Sequence, residues 1–517
     1  MSKLNLKGTN KNMEKLKKIN KKYLHIAIII IGVIFLFLSS FHEDIWFDES
    51  YSVAIAKHNF IDIWQITGHD VHPPLYYWML HIVWMIFGNN VIAFRLFSVL
   101  AIVLLGILGY THIRKDFGDK AGILFSYLVY FLPVMCTYSQ EIRMYSWSCL
   151  LITLLAIYAY RLYKKIKNKE EKNVNRNIIL FGILSILSCY IHYYALVSAG
   201  LINFVLLIYI IKNRKNVPHI LRNFLILAFV QIILYVPWLI YLKGQVSHVE
   251  SGFWIYLGMS TLVEVPSFQF RRQLDTNFSF DLNTIIALVS ALAMYIYIGL
   301  KMYKAKKEKS EMLPGVLAWV LYVAVIASVL VVSLVMKQSI LFARYLLVIT
   351  GLYIFGIAFF MAKEKKNWLI ILICSIILIL GCISNITNIQ INYDSSNMKQ
   401  IEYLRENIKQ DDIIIYSNIG NGGVIAAFFP ENKQYFYNGE YWDVEEAYKA
   451  YGPGMETIYN YEDVLKDYHG RIWLIDSEGC GLYDEIPKDG VKTIVEPTEF
   501  VTRYQNYIYT IVLLEKE

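Results

Sequence analysis

Asp48 and Glu49, adjacent in the segment FDES, are two carboxylates in a stretch where Lys57 is the one basic residue between positions 42 and 91. Such a pair can supply a general base or ligands for a divalent cation; a solvated turn would use the same residues. His72 stands before Pro73 and Pro74, whose fixed φ angles set how the next apolar stretch begins. Its imidazole can donate to a phosphate or act as a helix cap. SQEIRMY, residues 139–145, brings Glu141 and Arg143 into one short turn. A guanidinium fork suits phosphate oxygens, and a local salt bridge is the plain alternative. Arg344 and Tyr345 open a long apolar run, where an arginine either snorkels to headgroups or clamps an anionic one. Arg95, the run His192-Tyr193-Tyr194 and the pair Arg271-Arg272 are smaller candidates, and the aromatic residues among them also fit an interfacial belt. Asp48 with Glu141 can hold a divalent metal, although nothing in the pattern demands one.

These residues need elements to position them, and the composition says what kind. Of 517 residues, 56% are hydrophobic and only 18% charged, against about 25% charged in a soluble domain. Mean hydropathy is +0.42. An ordinary water-soluble enzyme and a disordered chain are both excluded. A span needs about 20 apolar residues, and eleven such stretches are predicted: 23–41, 92–113, 121–138, 146–163, 178–191, 195–211, 223–242, 283–300, 315–336, 341–362 and 368–386. The apolar segment 75–87 has only 13 residues, a length suited to an interfacial helix.

Loop charge sets the expected orientation. The first 22 residues hold eight lysines, which places them in the cytoplasm. No small-residue cleavage site follows the first span, so it is read as a retained anchor. The loops at 114–120, 161–176, 212–222, 301–309 and 363–366 then fall inside and carry 3, 7, 4, 5 and 3 basic residues. The alternate loops, including 42–91 and 243–282, fall outside. Treating 75–87 as a span would break this pattern. All four main polar clusters, around Asp48, His72, Arg143 and Arg344, share the outer face, which suggests one site.

The net charge of +7 is divided unequally: residues 394–517 hold 11 basic and 23 acidic side chains, and residues 1–393 hold 38 and 19. The basic part needs no nucleic acid to explain it, since positive loops beside spans suffice. The expected division is a basic cytoplasmic N-terminus (1–22), a membrane domain (23–390) and an extracytoplasmic α/β domain (391–517). In the last, helices are expected at 398–408, after Gly422-Gly423 and at 462–468, with strands at 412–416, 434–437, 471–476, 491–495 and 504–514. GNGG at 420–423 reads as a turn. Cys136, Cys149, Cys189, Cys374 and Cys382 lie in apolar runs and Cys480 stands alone, so neither a disulfide framework nor zinc spacing is present.

The order FDES, HPPLYY, Arg95, SQEIRMY and ARYLL resembles the protein O-mannosyltransferase family and its bacterial relatives, the lipid A aminoarabinose transferases. These are membrane glycosyltransferases of the C type. The resemblance covers about residues 23–362. It implies a polyprenyl-phosphate sugar donor used at the outer face of a cell membrane, and an active site in the first outer loop. By position, Asp48 resembles the base that deprotonates the acceptor and Glu49 its support. His72 follows the mannosyltransferase pattern, where aminoarabinose transferases tend to have lysine. The long luminal insert of eukaryotic members is missing, so the acceptor is left as an envelope glycan, lipid or protein. Arg143 and Arg344, with His72 and Arg95, are the candidates for neutralising the departing phosphate; Glu141, Tyr345, His192 and Tyr193 would support them. A single displacement inverts the anomeric carbon. Two other readings remain open: a flippase for lipid-linked saccharides, whose binding groups would be expected near the midplane in paired repeats, and a non-catalytic envelope scaffold.

Overall fold

The computed structural model of the chain describes residues 2–252, 254–272, 280–305, 311–439, 448–452, 455–466, 468–477, 479–487 and 489–517. Parts of the expected loops 243–282 and 301–309, and residue 467 of the expected helix 462–468, lie outside these. The long N-terminal helix α1 (Ser2–Phe37) is followed by three short helices, α2 (Phe47–Ile55), α3 (Phe60–His69) and α4 (Leu75–Phe87). Next come α5 (Val91–Leu108), continued through a wide turn into α6 (Arg114–Phe117), then α7 (Asp119–Phe131) and α8 (Pro133–Tyr138). The helical series ends with α9 (Tyr145–Asn168), α10 (Val174–Ile191), α11 (Tyr193–Lys212), α12 (Ile220–Gly252), α13 (Met259–Ser267), α14 (Leu282–Ala305), α15 (Leu313–Met336), α16 (Thr350–Ala362) and α17 (Asn367–Asn392).

Among the described residues, ten helices are long and apolar enough to cross a bilayer, and the chain is a multi-pass membrane protein. The span expected at 121–138 is the exception, because it is built from α7 and α8 rather than one helix. Leu132 between them is extended (φ −66°, ψ 131°). Pro133 has no N–H to donate and pushes the preceding residue out of the helical region. The segment 75–87 is the 13-residue helix α4, too short to span. Part of the expected outer loop 243–282 is helical, since α12 continues to Gly252 and α13 follows.

The chain forms two compact units. The first comprises residues 1–38, 98–140 and 144–385 and holds most of the spanning helices. Its helices approach closely where side chains are small: a Cβ on Gly106 would lie 2.1 Å from Tyr130 Cζ. Polar groups add to this packing. His25 Nε2 lies 2.8 Å from Ser126 Oγ, which donates to the Gly106 carbonyl at 2.6 Å.

The second unit comprises residues 39–97, 141–143 and 386–517. It contains α2 to α4, α18 (Lys399–Asn407), α19 (Ile419–Phe428) and short helices at Glu462–Leu465 and Gly481–Glu485. Its strands are β1 (Ile413–Tyr416), β2 (Lys433–Tyr437), β3 (Met455–Ile458), β4 (Gly470–Asp476), β5 (Val491–Val501) and β6 (Ile508–Lys516). They form one sheet in the order β3-β2-β1-β4-β6-β5. The β3-β2-β1-β4 part is parallel, and β6 and β5 are antiparallel. All four residues of β1 are buried, as a strand covered on both faces requires. The edge strand β5 alternates in burial and is irregular between Thr493 and Thr498, the part that contains Pro497, which suits an edge. β3 was not among the expected strands. GNGG is not a turn: it lies inside α19, whose start is capped by the Asn418 side chain accepting from the Gly420 and Asn421 amides.

Candidate active site

The second unit holds Asp48, Glu49, His72, Arg95, Glu141 and Arg143. Trp46, in extended conformation, precedes α2, and its N–H donates to Glu49 Oε2 at 3.4 Å. Asp48 and Glu49 therefore occupy the first turn of α2, where carboxylates complement the helix dipole. The two neighbours have different surroundings. Both Glu49 and Arg95 have fully buried side chains, and they meet at 2.8 Å. Glu49 Oε1 also accepts the Ile142 amide at 2.9 Å, and Oε2 accepts the Tyr504 hydroxyl at 2.9 Å. Arg95 Nη2 donates at 2.5 Å to the Asp44 carbonyl. The Glu49 carboxylate is thus committed internally, and Arg95 with it. Arg95 was a candidate for the donor phosphate; its observed hydrogen bonds instead fix Glu49 and the 44–49 segment.

Asp48 keeps 26% of its side chain exposed, and its Oδ2 lies 3.9 Å from Nε of the buried Arg143. The distance makes a loose ion pair. Arg143 sits in a tight turn in which its own N–H donates to the Glu141 carbonyl at 2.7 Å. Its Nη1 donates to the Asp48 carbonyl at 3.1 Å, to Tyr77 Oη at 3.3 Å and to Ser52 Oγ at 3.4 Å. Glu49 binds the amide next to Arg143 in sequence and stands next to Asp48 on α2. It therefore fixes both members of the Asp48–Arg143 pair.

His72 is the third component. It precedes Pro73, which restricts its backbone to extended conformations. It is not the cap of α4, because Pro74 holds that position. Nδ1 lies 3.1 Å from Asp70 Oδ2, and Nε2 lies 3.3 Å from Arg143 Nη2. Since arginine only donates, Nε2 accepts and Nδ1 carries the proton given to Asp70. Burial alone would raise the Asp70 carboxyl; the hydrogen bonds from His72 and the Val71 backbone and the nearby Arg143 outweigh this and hold it below the usual carboxylate range.

Asp44 lies beside this cluster. Its carboxyl accepts from Asn397 Nδ2 at 2.5 Å and stands 3.7 Å from His42 Nδ1. Burial pushes its pKa up to about 7, against the lowering influence of Arg95 and Asn397. Asp44, Asp70, Tyr77 and Tyr504 were not identified from sequence. Asp70 had a signal, since it is two residues from His72 beside a proline-fixed segment. Tyr504 had none, being 455 positions from Glu49.

The remaining candidates lie in the first unit. His192 caps α11 by accepting from the Tyr194 amide, and its ring packs on Tyr145 and Tyr345 at centroid distances of 5.6 and 5.1 Å. Tyr193 donates to Gln245 and accepts from Trp238 Nε1 at 3.1 Å. Arg344, half-buried, lies over the Phe342 ring at 5.1 Å. Arg271 is buried 3.5 Å from Glu264, and Arg272 gives its carbonyl to Thr137. Among the described residues no group of three or more His, Cys, Asp or Glu side chains could hold a metal ion. Among those residues Asp48 and Glu141 are thus not part of a group of three.

Residues 71–261 match the family model of the dolichyl-phosphate-mannose-protein mannosyltransferases. The matched segment holds His72, Arg95, Glu141, Arg143, His192 and Tyr193. Among solved structures, the fold is similar to that of ArnT from Cupriavidus metallidurans in the apo state, with a TM-score of 0.56 and 10% identity. That likeness covers 94% of this chain and 97% of the other. The same protein bound to undecaprenyl phosphate matches equally well. An oligosaccharyltransferase from Archaeoglobus fulgidus, in complex with zinc and sulfate, matches with a TM-score of 0.50 and 12% identity, over 79% of this chain and 62% of that one. Comparison with curated protein sequences finds no match.

Proposed function

We infer that the chain, a membrane glycosyltransferase of the C type, transfers a sugar from a polyprenyl-phosphate donor to an envelope acceptor, with Asp48 as the base. The observation that carries this assignment is the contrast between adjacent carboxylates: Glu49 is buried and saturated, whereas Asp48 is partly exposed beside a buried guanidinium. A base must reach the acceptor hydroxyl, and of the two only Asp48 has an exposed carboxylate.

In the proposed reaction the acceptor oxygen attacks the anomeric carbon while its proton passes to Asp48. The bond from that carbon to the phosphate oxygen breaks, and its electron pair leaves with polyprenyl phosphate. One displacement inverts the anomeric centre. The departing phosphate gains charge in the transition state, where fixed cations act most strongly. Arg143 is the first candidate for meeting that charge, with His72 beside it. Arg95 and Glu49 are positioning residues.

The transfer is proposed for the outer face of a bacterial cell membrane. The basic loops at 161–176 and 212–222 then face the cytoplasm, and the acidic α/β domain faces outward. An envelope glycan, lipid or protein is the acceptor class. Neither a flippase nor a scaffold has a comparable supporting observation.

The test is a transfer assay in membranes with radiolabelled polyprenyl-phosphate sugars and envelope extract, comparing the native chain with Asp48→Asn. Transfer is expected from the native chain alone. Full activity in the variant would remove Asp48 as base. Absence of transfer from folded native protein with every lipid donor would overturn the function itself.

A further inference from the structure

The helices of the first unit leave a cavity of about 330 Å3 between α9, α11, α15, α16 and the end of α5–α6. Its wall is apolar, formed by side chains such as Ala156, Leu206, Leu317 and Phe355. A void of this size and lining does not attract water, and it falls in the range of small-molecule sites, about 300–1,000 Å3. Because its walls are membrane-spanning helices, a lipid chain is the apolar material at hand to fill it.

The rim has a different chemistry. Lys212, at the end of α11, is exposed and lines the opening, with Tyr163 and Tyr209 also at the cavity. Tyrosines at that level mark a bilayer interface. Lys164 and Lys167 on α9, and Arg214 and Lys215 after α11, add positive charge at the same helix ends. The rim therefore complements an anionic headgroup, and the wall complements its chain.

Position along the helices identifies which lipid. Both α9 and α11 begin beside the aromatic cluster of Tyr145, His192 and Tyr345. The cavity residues Ala156 to Tyr163 lie 11 to 18 residues further along α9, which is about 16–27 Å at 1.5 Å per residue. A phosphate resting at Lys212 thus belongs to the opposite leaflet from one held near His192 and Tyr345. We propose that this cavity binds an anionic diacyl phospholipid of the leaflet beside the basic loops, with one acyl chain in the cavity and the phosphate on Lys212.

The test uses the full chain, purified in mild detergent and offered phosphatidylglycerol and phosphatidylcholine in equal amounts, with retained lipid read by native mass spectrometry. The native protein should favour phosphatidylglycerol about fivefold, the effect of one lysine near a headgroup. Lys212→Gln should lose that preference while still retaining lipid. Ala156→Trp, which fills the cavity, should lose retention of both at an unchanged unfolding temperature; Leu206→Trp serves if the first variant fails to fold. Equal retention of the two lipids by native protein, or undiminished phosphatidylglycerol in a folded, filled variant, overturns the proposal. Preferential retention of polyprenyl phosphate at this cavity overturns it too, assigning the space to a donor lipid. No transfer activity enters the readout, so the result stands apart from the assignment of Asp48.

Discussion

Glu49 and Arg95, 46 positions apart, bury both side chains completely and meet at 2.8 Å. The pair is one part of a larger junction, because the same carboxylate receives the Ile142 amide and the Tyr504 hydroxyl. Three separate stretches of chain are thereby tied to the first turn of α2. The adjacent residue on that turn, Asp48, is left partly exposed with Arg143 at 3.9 Å. The two adjacent carboxylates thus differ in burial, Glu49 being fully enclosed and Asp48 partly exposed.

The two carboxylates should separate experimentally. Glu49→Ala strands a buried guanidinium, a change that costs about 3–5 kcal/mol, and should lower the unfolding temperature and yield together with activity. Asp48→Asn should abolish transfer with little change in unfolding temperature. Thermal unfolding in detergent beside a transfer assay distinguishes them. A stable Glu49→Ala protein would show that the buried pair does not hold the site together.

Arg143 joins Asp48, Ser52, Tyr77 and His72 through a fixed fork. Arg143→Ala should reduce the turnover rate by about 10²–10³, the scale for losing one preorganised donor to developing charge. Arg143→Lys should recover only part, because a point charge cannot reproduce the fork. Steady-state kinetics with the lipid donor measure both. An unchanged rate in Arg143→Ala would leave phosphate neutralisation to other cations.

The spans were legible because each is a long apolar run bounded by charge, and α4 was distinguished from them by its length. The break at Leu132 was not recognised, although Pro133 was visible, because hydropathy averages over a kink. Glycine is a poor helix former, so GNGG by itself suggests a turn. In the structure it allows close approach: a Cβ on Gly422 would come within 2.8 Å of Tyr416. Asp48, Glu49, His72 and Arg143 stood out as polar residues in apolar surroundings. The roles of Asp48 as base and Glu49 as its support come from the family resemblance alone; the burial of Glu49 against Tyr504 and Ile142, far away in sequence, has no signal in the local pattern.

The glycines of α19 give a prediction about packing. A Cβ on Gly423 would lie 2.6 Å from Tyr451 Oη and 3.0 Å from Ser50 Oγ, two groups that hydrogen-bond each other at 2.8 Å. Gly423→Ala should therefore destabilise the protein by about 1–3 kcal/mol, as overpacking does, despite the better helix propensity of alanine. Denaturant or thermal unfolding checks the sign. A more stable variant would mean that Tyr451 moves aside without loss.

Asp44 predicts a pH dependence of stability. Burial raises its folded pKa to about 7, above the unfolded value of about 3.9. The folded state thus holds a proton that the unfolded state releases. Its contribution is complete below pH ~3.9 and is lost as pH rises toward 7. The groups facing it are His42, Asn397, Arg95 and Glu49. Asp44→Asn keeps an oxygen to accept from Asn397 and removes the titration, so its stability relative to the native chain should improve between pH 5 and pH 8. Unfolding temperatures of both proteins across that range test this. Parallel curves would exclude Asp44 as the source.

Asp70 and His72 should act as a unit. Asp70 holds the proton on Nδ1, which leaves the Nε2 lone pair directed to Arg143. Asp70→Asn allows the amide to donate instead, inverting the tautomer and setting an Nε2–H against the guanidinium. A change in such a supporting partner costs about 10–100-fold where it has been measured at metal-bound histidines, and a loss on that scale is expected in transfer rate here. His72→Ala should cost at least as much. The double variant should resemble His72→Ala alone, because residues sharing one network are not additive. Losses that multiplied independently would show that Asp70 acts by a route other than the imidazole, and the orientation of His72 would then have to be set by Pro73 and Arg143.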